Sequence, residues 1–240
     1  MDKWKTICSQ ALFDTKWVKV RKDAVELPNG QHIDDFYAIT INEAAAIVAL
    51  DDYGNIILKK EYRYCFGRDL IEIPAGGFER GEEGLEVAKR ELLEETGYIS
   101  DDWQFIGRTV ESSAKLTNYM HIYFADHCRK VSGQHLDATE EIEVLVMPLE
   151  QAVSMVMDNE ICCNSSAHGI LWAARKYGIE GIVGNYVPAP GTLFCKKYFV
   201  INLEEERGRN EKKIFYSNGG SIGGIRNSSN GKRNQYGRKD

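Results

Sequence analysis

The stretch from Gly76 to Tyr98 constrains this chain more than any other. An extended run, Leu70-Ile71-Glu72-Ile73, stops at Pro74 and passes through Ala75, Gly76 and Gly77. A helical pattern follows, from about Glu83 to Thr96, with Leu85, Ala88 and Leu92 at the i, i+3, i+7 spacing of one face. Glu91, Glu94 and Glu95 stand at i, i+3, i+4, so their carboxylates project from one side. That acidic stripe lies next to the apolar one, which places the acids at the edge of a core. Acids crowd the first turn, where the helix dipole favours them, and Gly97 stands where a left-handed cap belongs.

Magnitudes weigh what such a stripe means. On an exposed helix, like charges at this spacing cost only a few tenths of a kcal/mol, and a solvated acidic face suffices. Half-buried, with an effective dielectric near 20 and separations of about 5–6 Å, each pair repels by roughly 3 kcal/mol. Arg90 offers one positive charge, with Glu86 competing for it as an i, i+4 partner. Hard divalent cations prefer oxygen ligands and would supply the rest. From the helix alone the two readings stand level. The preceding loop favours the cation, because glycines at 76, 77, 81 and 84 let backbone approach a ligand closely. A plain strand-to-helix connection hardly requires them.

The remaining chain reads as strands, then helices. Extended runs cover Trp17 to Glu26 and His32 to Thr40, joined by the turn Leu27-Pro28-Asn29-Gly30. Ala44 to Leu50, Ile56 to Arg63, Trp103 to Val110, Tyr119 to Ala125 and Ile142 to Met147 read as further strands. Helices are expected over Leu149 to Asp158 and Ser165 to Tyr177. The last stretch is rich in Gly, Ser, Asn, Lys and Arg and cannot bury enough surface to offset its ordering entropy.

The central segment matches the Nudix box, G-x5-E-x7-R-E-U-x-E-E-x-G-U, at Gly76, Glu82, Arg90, Glu91, Leu92, Glu94, Glu95, Gly97 and Tyr98. The resemblance spans about residues 10 to 178. Lys60-Glu61-Tyr62-Arg63 and Ile71-Glu72-Ile73-Pro74-Ala75-Gly76 look like the branch that hydrolyses ADP-ribose and other nucleoside diphosphate sugars, as do the strands ahead of the box. Thr139-Glu140-Glu141-Ile142-Glu143-Val144, with a helix after it, is also similar. One departure is plain: no proline occurs between Pro74 and Pro148, where ADP-ribose hydrolases of this branch carry one, and Ser112 to Thr117 fills that region.

The resemblance implies an α/β Nudix fold, an α/β/α sandwich with a mixed β-sheet and an N-terminal antiparallel strand extension. It divides the chain into an N-terminal strand pair at 1–42 that serves a homodimer, a hydrolase domain at 43–178, an unassigned extension at 179–205 and a basic tail at 206–240 expected to be disordered. It implies that Glu91, Glu94, Glu95 and the Ala75 carbonyl hold Mg²⁺, with Mn²⁺ as the alternative ion. Arg90 and Glu82 would hold the loop to the helix. The general base is either a box glutamate or a later one, Glu140 or Glu141. Gly76 and Gly77 are expected at the substrate; Arg63 either binds a phosphate or forms a surface ion pair. The implied reaction is ADP-ribose to AMP and ribose 5-phosphate. Two other readings remain: a Nudix hydrolase of another nucleotide, and a nucleotide-binding regulatory module. Such modules commonly lose box carboxylates, and this chain keeps them all.

Charge and cysteines narrow the partners. The net charge is −6, but residues 206–240 carry +6, leaving −12 on the rest. An acidic body argues against nucleic acid as the main partner. No apolar run approaches the roughly 20 residues needed to cross a bilayer, and no secretory leader is evident, so a cytoplasmic location is expected. The six scattered cysteines form no C-x-x-C pair and read as free thiols, and no zinc site is read around His127 and Cys128.

Overall fold

A mixed sheet carries the molecule, and its path explains where the box lies. In the computed structural model, which describes residues 2–79 and 81–179, the sheet order is β11 (Ile142–Pro148), β5 (Asn55–Arg63), β4 (Ala44–Asp51), β10 (Met120–Lys130) and β8 (Tyr98–Ile99). Strands β6 (Arg68–Glu72), β7 (Ala75–Gly77) and β9 (Asp102–Thr109) pair with β5, β4 and β10. Only β4 and β10 run parallel among these pairs. The expectations for residues 180–205, for the tail from 206, and for Cys195 lie outside the described residues.

Strand β4 is apolar along nearly its whole length because both its faces are covered. On one face Ala45, Ile47 and Ala49 pack with Ile57 against Val87, Ala88 and Leu92 of α1 (Gly84–Thr96). On the other, Ala46, Val48 and Leu50 pack with Leu58 against α2 (Leu149–Met157) and α3 (Asn164–Lys176). These are the two outer layers of an α/β/α sandwich. Gly169 lets α3 approach closely, since a Cβ there would stand 2.5 Å from Val48.

The sheet opens where the chemistry lies. Strand β5 pairs with β4 only through Ile56 and Ile57. Beyond them, Lys59 to Arg63 pair with β6 instead. The chain then bends at Ile73-Pro74 and crosses to pair with β4 as β7, Ala75 opposite Ala46. Pro74 has no N–H to give, but its carbonyl accepts from Ile47 at 2.8 Å. The Ile73 N–H, outside the ladder, donates to the buried Ser166 hydroxyl at 3.1 Å. The crossing therefore delivers Ala75 and Gly76 into the gap between β4 and the end of β5.

The N-terminal sheet has three strands, β1 (Lys5–Asp14), β2 (Val18–Glu26) and β3 (His32–Ile41), all antiparallel. Sequence periodicity reveals the second and third but not β1, which is exposed at every position and so carries no burial pattern to read. Short β7 and β8 also escape the sequence. Strand β3 is tied to the segment around residue 116: the Ile39 N–H donates to Lys115 O at 2.8 Å, and Thr117 N–H to Ile39 O at 3.1 Å. Cys8, Cys65, Cys128, Cys162 and Cys163 are free thiols.

Candidate active site

Helix α1 starts without a side-chain cap at Glu83 and ends at Gly97, whose φ of +76° suits the left-handed cap. Nothing larger fits there, because a Cβ would meet the Ser132 carbonyl at 2.3 Å. The acids do not all lie at the edge of the core. Glu91 and Glu95 fall within the buried stripe with Ala88 and Leu92, whereas the Glu94 side chain keeps 42% of its surface. The helix thus turns two carboxylates inward beneath β7.

Each buried carboxylate has an identified neutralising partner. Glu95 accepts the Ala75 N–H at 2.9 Å on one oxygen and the Lys59 ammonium on the other. Lys59 is 2% exposed, and its Nζ also donates to the Ala75 carbonyl at 3.2 Å. Burial pushes the Glu95 carboxyl up to about 7, against the opposing pull of Lys59 and of the Ala75 amide. Burial likewise raises Glu91, which Arg90 counteracts. Lys59 is absent from the expected site residues. The available signal was its parity: it follows Ile57 on the face that β5 turns to α1.

Arg90 organises the other half. Its Nε and Nη2 fork onto Glu82 at 3.1 Å each, and Nη1 reaches Glu91 at 2.7 Å and Glu94 at 3.1 Å. Nη2 also donates to the Gly77 carbonyl at 3.2 Å. The fork holds Glu82 below the usual carboxylate range, and Glu82 in turn accepts the Glu79 N–H at 2.8 Å. Glu86 does not compete for Arg90. It pairs with Lys89 at 3.0 Å, because the guanidinium is held by Glu82 and the Gly77 carbonyl ahead of the helix and by Glu91 and Glu94 on it.

Gly76 explains its own place. A Cβ there would lie 2.0 Å from the Glu91 carboxyl carbon, so β7 passes directly over that side chain. Gly77 has open space beside it. Arg63 is engaged: its Nε reaches Glu72 at 2.7 Å and its Nη1 reaches Glu61 at 3.1 Å. Burial works against its charge, but Glu72 and Glu61 outweigh burial and raise its pKa. Glu140 accepts the Asp137 N–H of its own loop at 3.0 Å. That loop is stitched to the end of α1, with the His135 N–H on Glu94 O at 2.8 Å and the Gln134 side chain on Glu95 O at 2.7 Å.

The donor chemistry suits a hard divalent ion: three carboxylates, one backbone carbonyl and no sulfur or nitrogen. A cation, the Lys59 ammonium, already bridges two of those oxygens as a stand-in. Glu91, Glu94 and Glu95 do not converge as a trio. Among the described residues the potential ligand atoms gathered within 4.8 Å of one another belong to Asp102, Asp126 and His127. The box acids are instead divided between Lys59 and Arg90.

The NUDIX domain matches residues 40–161, and the nucleoside diphosphate sugar hydrolase N-terminal domain matches residues 4–39. The chain belongs to the Nudix family. It is similar to an ADP-ribose pyrophosphatase of Bacillus subtilis (strain 168), 32% identical over 177 residues, covering 73% of this chain and 95% of that one. An ADP-ribose pyrophosphatase of Mycobacterium tuberculosis is 31% identical over 176 residues, covering 70% and 82%. A solved structure described as an ADP compounds hydrolase shares the fold, with a TM-score of 0.65 at 20% identity, covering 76% of this chain and 98% of that one. This Nudix protein is a pyrophosphohydrolase of the ADP-ribose pyrophosphatase-like kind, acting on small nucleotide substrates. Nudix hydrolases generally need divalent metal ions. Among the described residues no helix is long and apolar enough to cross a membrane.

One consequence follows for Gly76. Because the clashing atoms are the far end of a flexible side chain, Gly76→Ala should fold with nearly the parental melting temperature. The Glu91 carboxylate must nevertheless swing away, and turnover should fall by about 10²-fold, the usual cost of a 1 Å misplacement. Thermal unfolding and steady-state rates check this. Parental turnover in the variant would show that the position of Glu91 does not matter.

Proposed function

We propose that this Nudix hydrolase cleaves the pyrophosphate of ADP-ribose, giving AMP and ribose 5-phosphate, with Mg²⁺ as its ion and Mn²⁺ able to replace it. The observation that carries the reading is the convergence of Ala75 O and Glu95 on one buried cation, with Glu91 and Glu94 on the same helix. The similarity to two ADP-ribose pyrophosphatases over most of their length points to the substrate.

Glu91, Glu94, Glu95 and the Ala75 carbonyl would hold the ion. A divalent ion so placed would offset charge on the diphosphate and make a water acidic enough to attack phosphorus near neutral pH. The chain's own part is mostly positioning. Arg90, forked onto Glu82 and bonded to Gly77 O, would fix the loop over the helix so that Gly76 and Gly77 present backbone to the substrate. Glu140 is our candidate to take the proton from the attacking water, because its loop is fastened to the end of α1; a box glutamate is the other candidate. For Arg63 the ion-pair reading gains support, since its fork is aimed at Glu72 and Glu61.

The N-terminal sheet would serve a homodimer. Strand β1 and its flanks expose Trp4, Ile7, Leu12, Phe13 and Trp17, an apolar surface that a second copy would cover.

Two measurements test these readings. The purified protein, given Mg²⁺ and a panel of nucleotide sugars, dinucleoside polyphosphates and NADH, should release AMP fastest from ADP-ribose. EDTA should abolish turnover, and Glu95→Gln should lower kcat by about 10²–10³-fold, as loss of a transition-state charge contact does. Faster turnover of another nucleotide would replace the substrate, and equal activity of Glu95→Gln would remove that residue from the mechanism. Light scattering should give about twice the chain mass of 27.2 kDa, and a monomer at micromolar concentration would refute the dimer.

A further inference from the structure

Lys59 is a charged side chain buried to 2% exposure in the middle of β5, directly after the apolar run Ile56-Ile57-Leu58. Buried lysines persist only when paired. Its ammonium makes three contacts, all to oxygen: Glu95, the Ala75 carbonyl at 3.2 Å, and Glu61 at 3.4 Å. The first two are oxygens we assign to the divalent ion. Glu61 is different: it lies two residues along β5, on the same face, and also receives Arg63.

We infer that Lys59 is a built-in competitor for the divalent ion. The inference rests on the metal-dependent reading above and adds a residue to it. One ammonium and one divalent ion cannot share Ala75 O and Glu95, since both need the same lone pairs and the two cations repel. With the ion absent, Lys59 neutralises Glu95 and keeps α1, β5 and β7 together. When the ion binds, the ammonium gives up Ala75 O and Glu95 and stays with Glu61, already within reach. Two consequences follow. The site is ordered before the ion arrives, and the affinity for the ion is lowered by the fraction of molecules in which Lys59 holds the ligands. Occupancy of the site, and with it hydrolysis, then responds to the level of free divalent ion.

The test uses Mn²⁺ alone, with free ion counted by electron paramagnetic resonance, on the full chain and on Lys59→Met. Methionine keeps the length and removes the charge. We expect Lys59→Met to bind Mn²⁺ at least about tenfold more tightly than the parent. Its melting temperature in EDTA should drop by about 10 °C, because Glu95 is left without its counter-charge, and Mn²⁺ should recover most of that loss while moving the parent less. Should Lys59→Met not fold, Lys59→Gln retains a hydrogen bond to Glu95 without the charge and must show the same tightening. Unchanged or weaker Mn²⁺ affinity in the neutral variants overturns the inference and leaves the metal-dependent reading intact. Failure of parent and variants alike to bind Mn²⁺ overturns both.

Discussion

Burying carboxylates without leaving them unpaired is the constraint on which this site depends. Glu91 and Glu95 point from α1 into a gap in the sheet, where an ionised acid loses much of its hydration. An isolated pair there would repel by roughly 3 kcal/mol at an effective dielectric near 20. The chain answers with Lys59 from β5, Arg90 from α1 itself and the Ala75 N–H from β7. Strands β5 and β7 and helix α1 are thereby joined through one pair of acids. The arrangement that keeps the helix docked also brings Glu95 and the Ala75 carbonyl to one cation, so under the proposed function stability and chemistry would use the same atoms.

The sheet makes this meeting geometrically necessary. Strand β5 leaves β4 after Ile57, and the chain crosses back at Pro74 to take the vacated edge. Both cannot pair with β4 at the same level, so the gap between Lys59 and Ala75 is a product of topology. Helix α1 covers it from one side, while Ser166 on α3 fastens the crossing from the other. Arg90 then closes the loop between strand and helix by gripping Glu82 and Gly77 together.

Much of this was legible in the sequence, for reasons that differ by element. Strands β2 to β6 and β9 to β11, and the three α-helices among the described residues, announce themselves because burial on one or both faces imposes a period on their apolar residues. Strand β1 could not do so, being exposed throughout. Within the site, the spacing of Glu91, Glu94 and Glu95 revealed a stripe but not its depth, since depth depends on how α1 is rotated against β4. By spacing alone Glu86 is a partner for Arg90; the folded loop brings Glu82 to the guanidinium instead. Lys59 was missed because a lysine beside Lys60 and Glu61 reads as part of the polar half of its strand; its ammonium meets Ala75 of β7, a three-residue strand with no pattern of its own.

We propose that the acids of α1 and the Ala75 carbonyl hold one divalent cation against a diphosphate. Crystals of the full chain grown with Mn²⁺ and a non-hydrolysable ADP-ribose analogue, with manganese located by its anomalous signal, would decide it. Manganese should be bound by Glu91, Glu94, Glu95 and Ala75 O against the analogue's diphosphate, with the Lys59 ammonium withdrawn to Glu61. Manganese found only elsewhere, as at Asp102, Asp126 and His127, with Glu95 still held by Lys59, would contradict it.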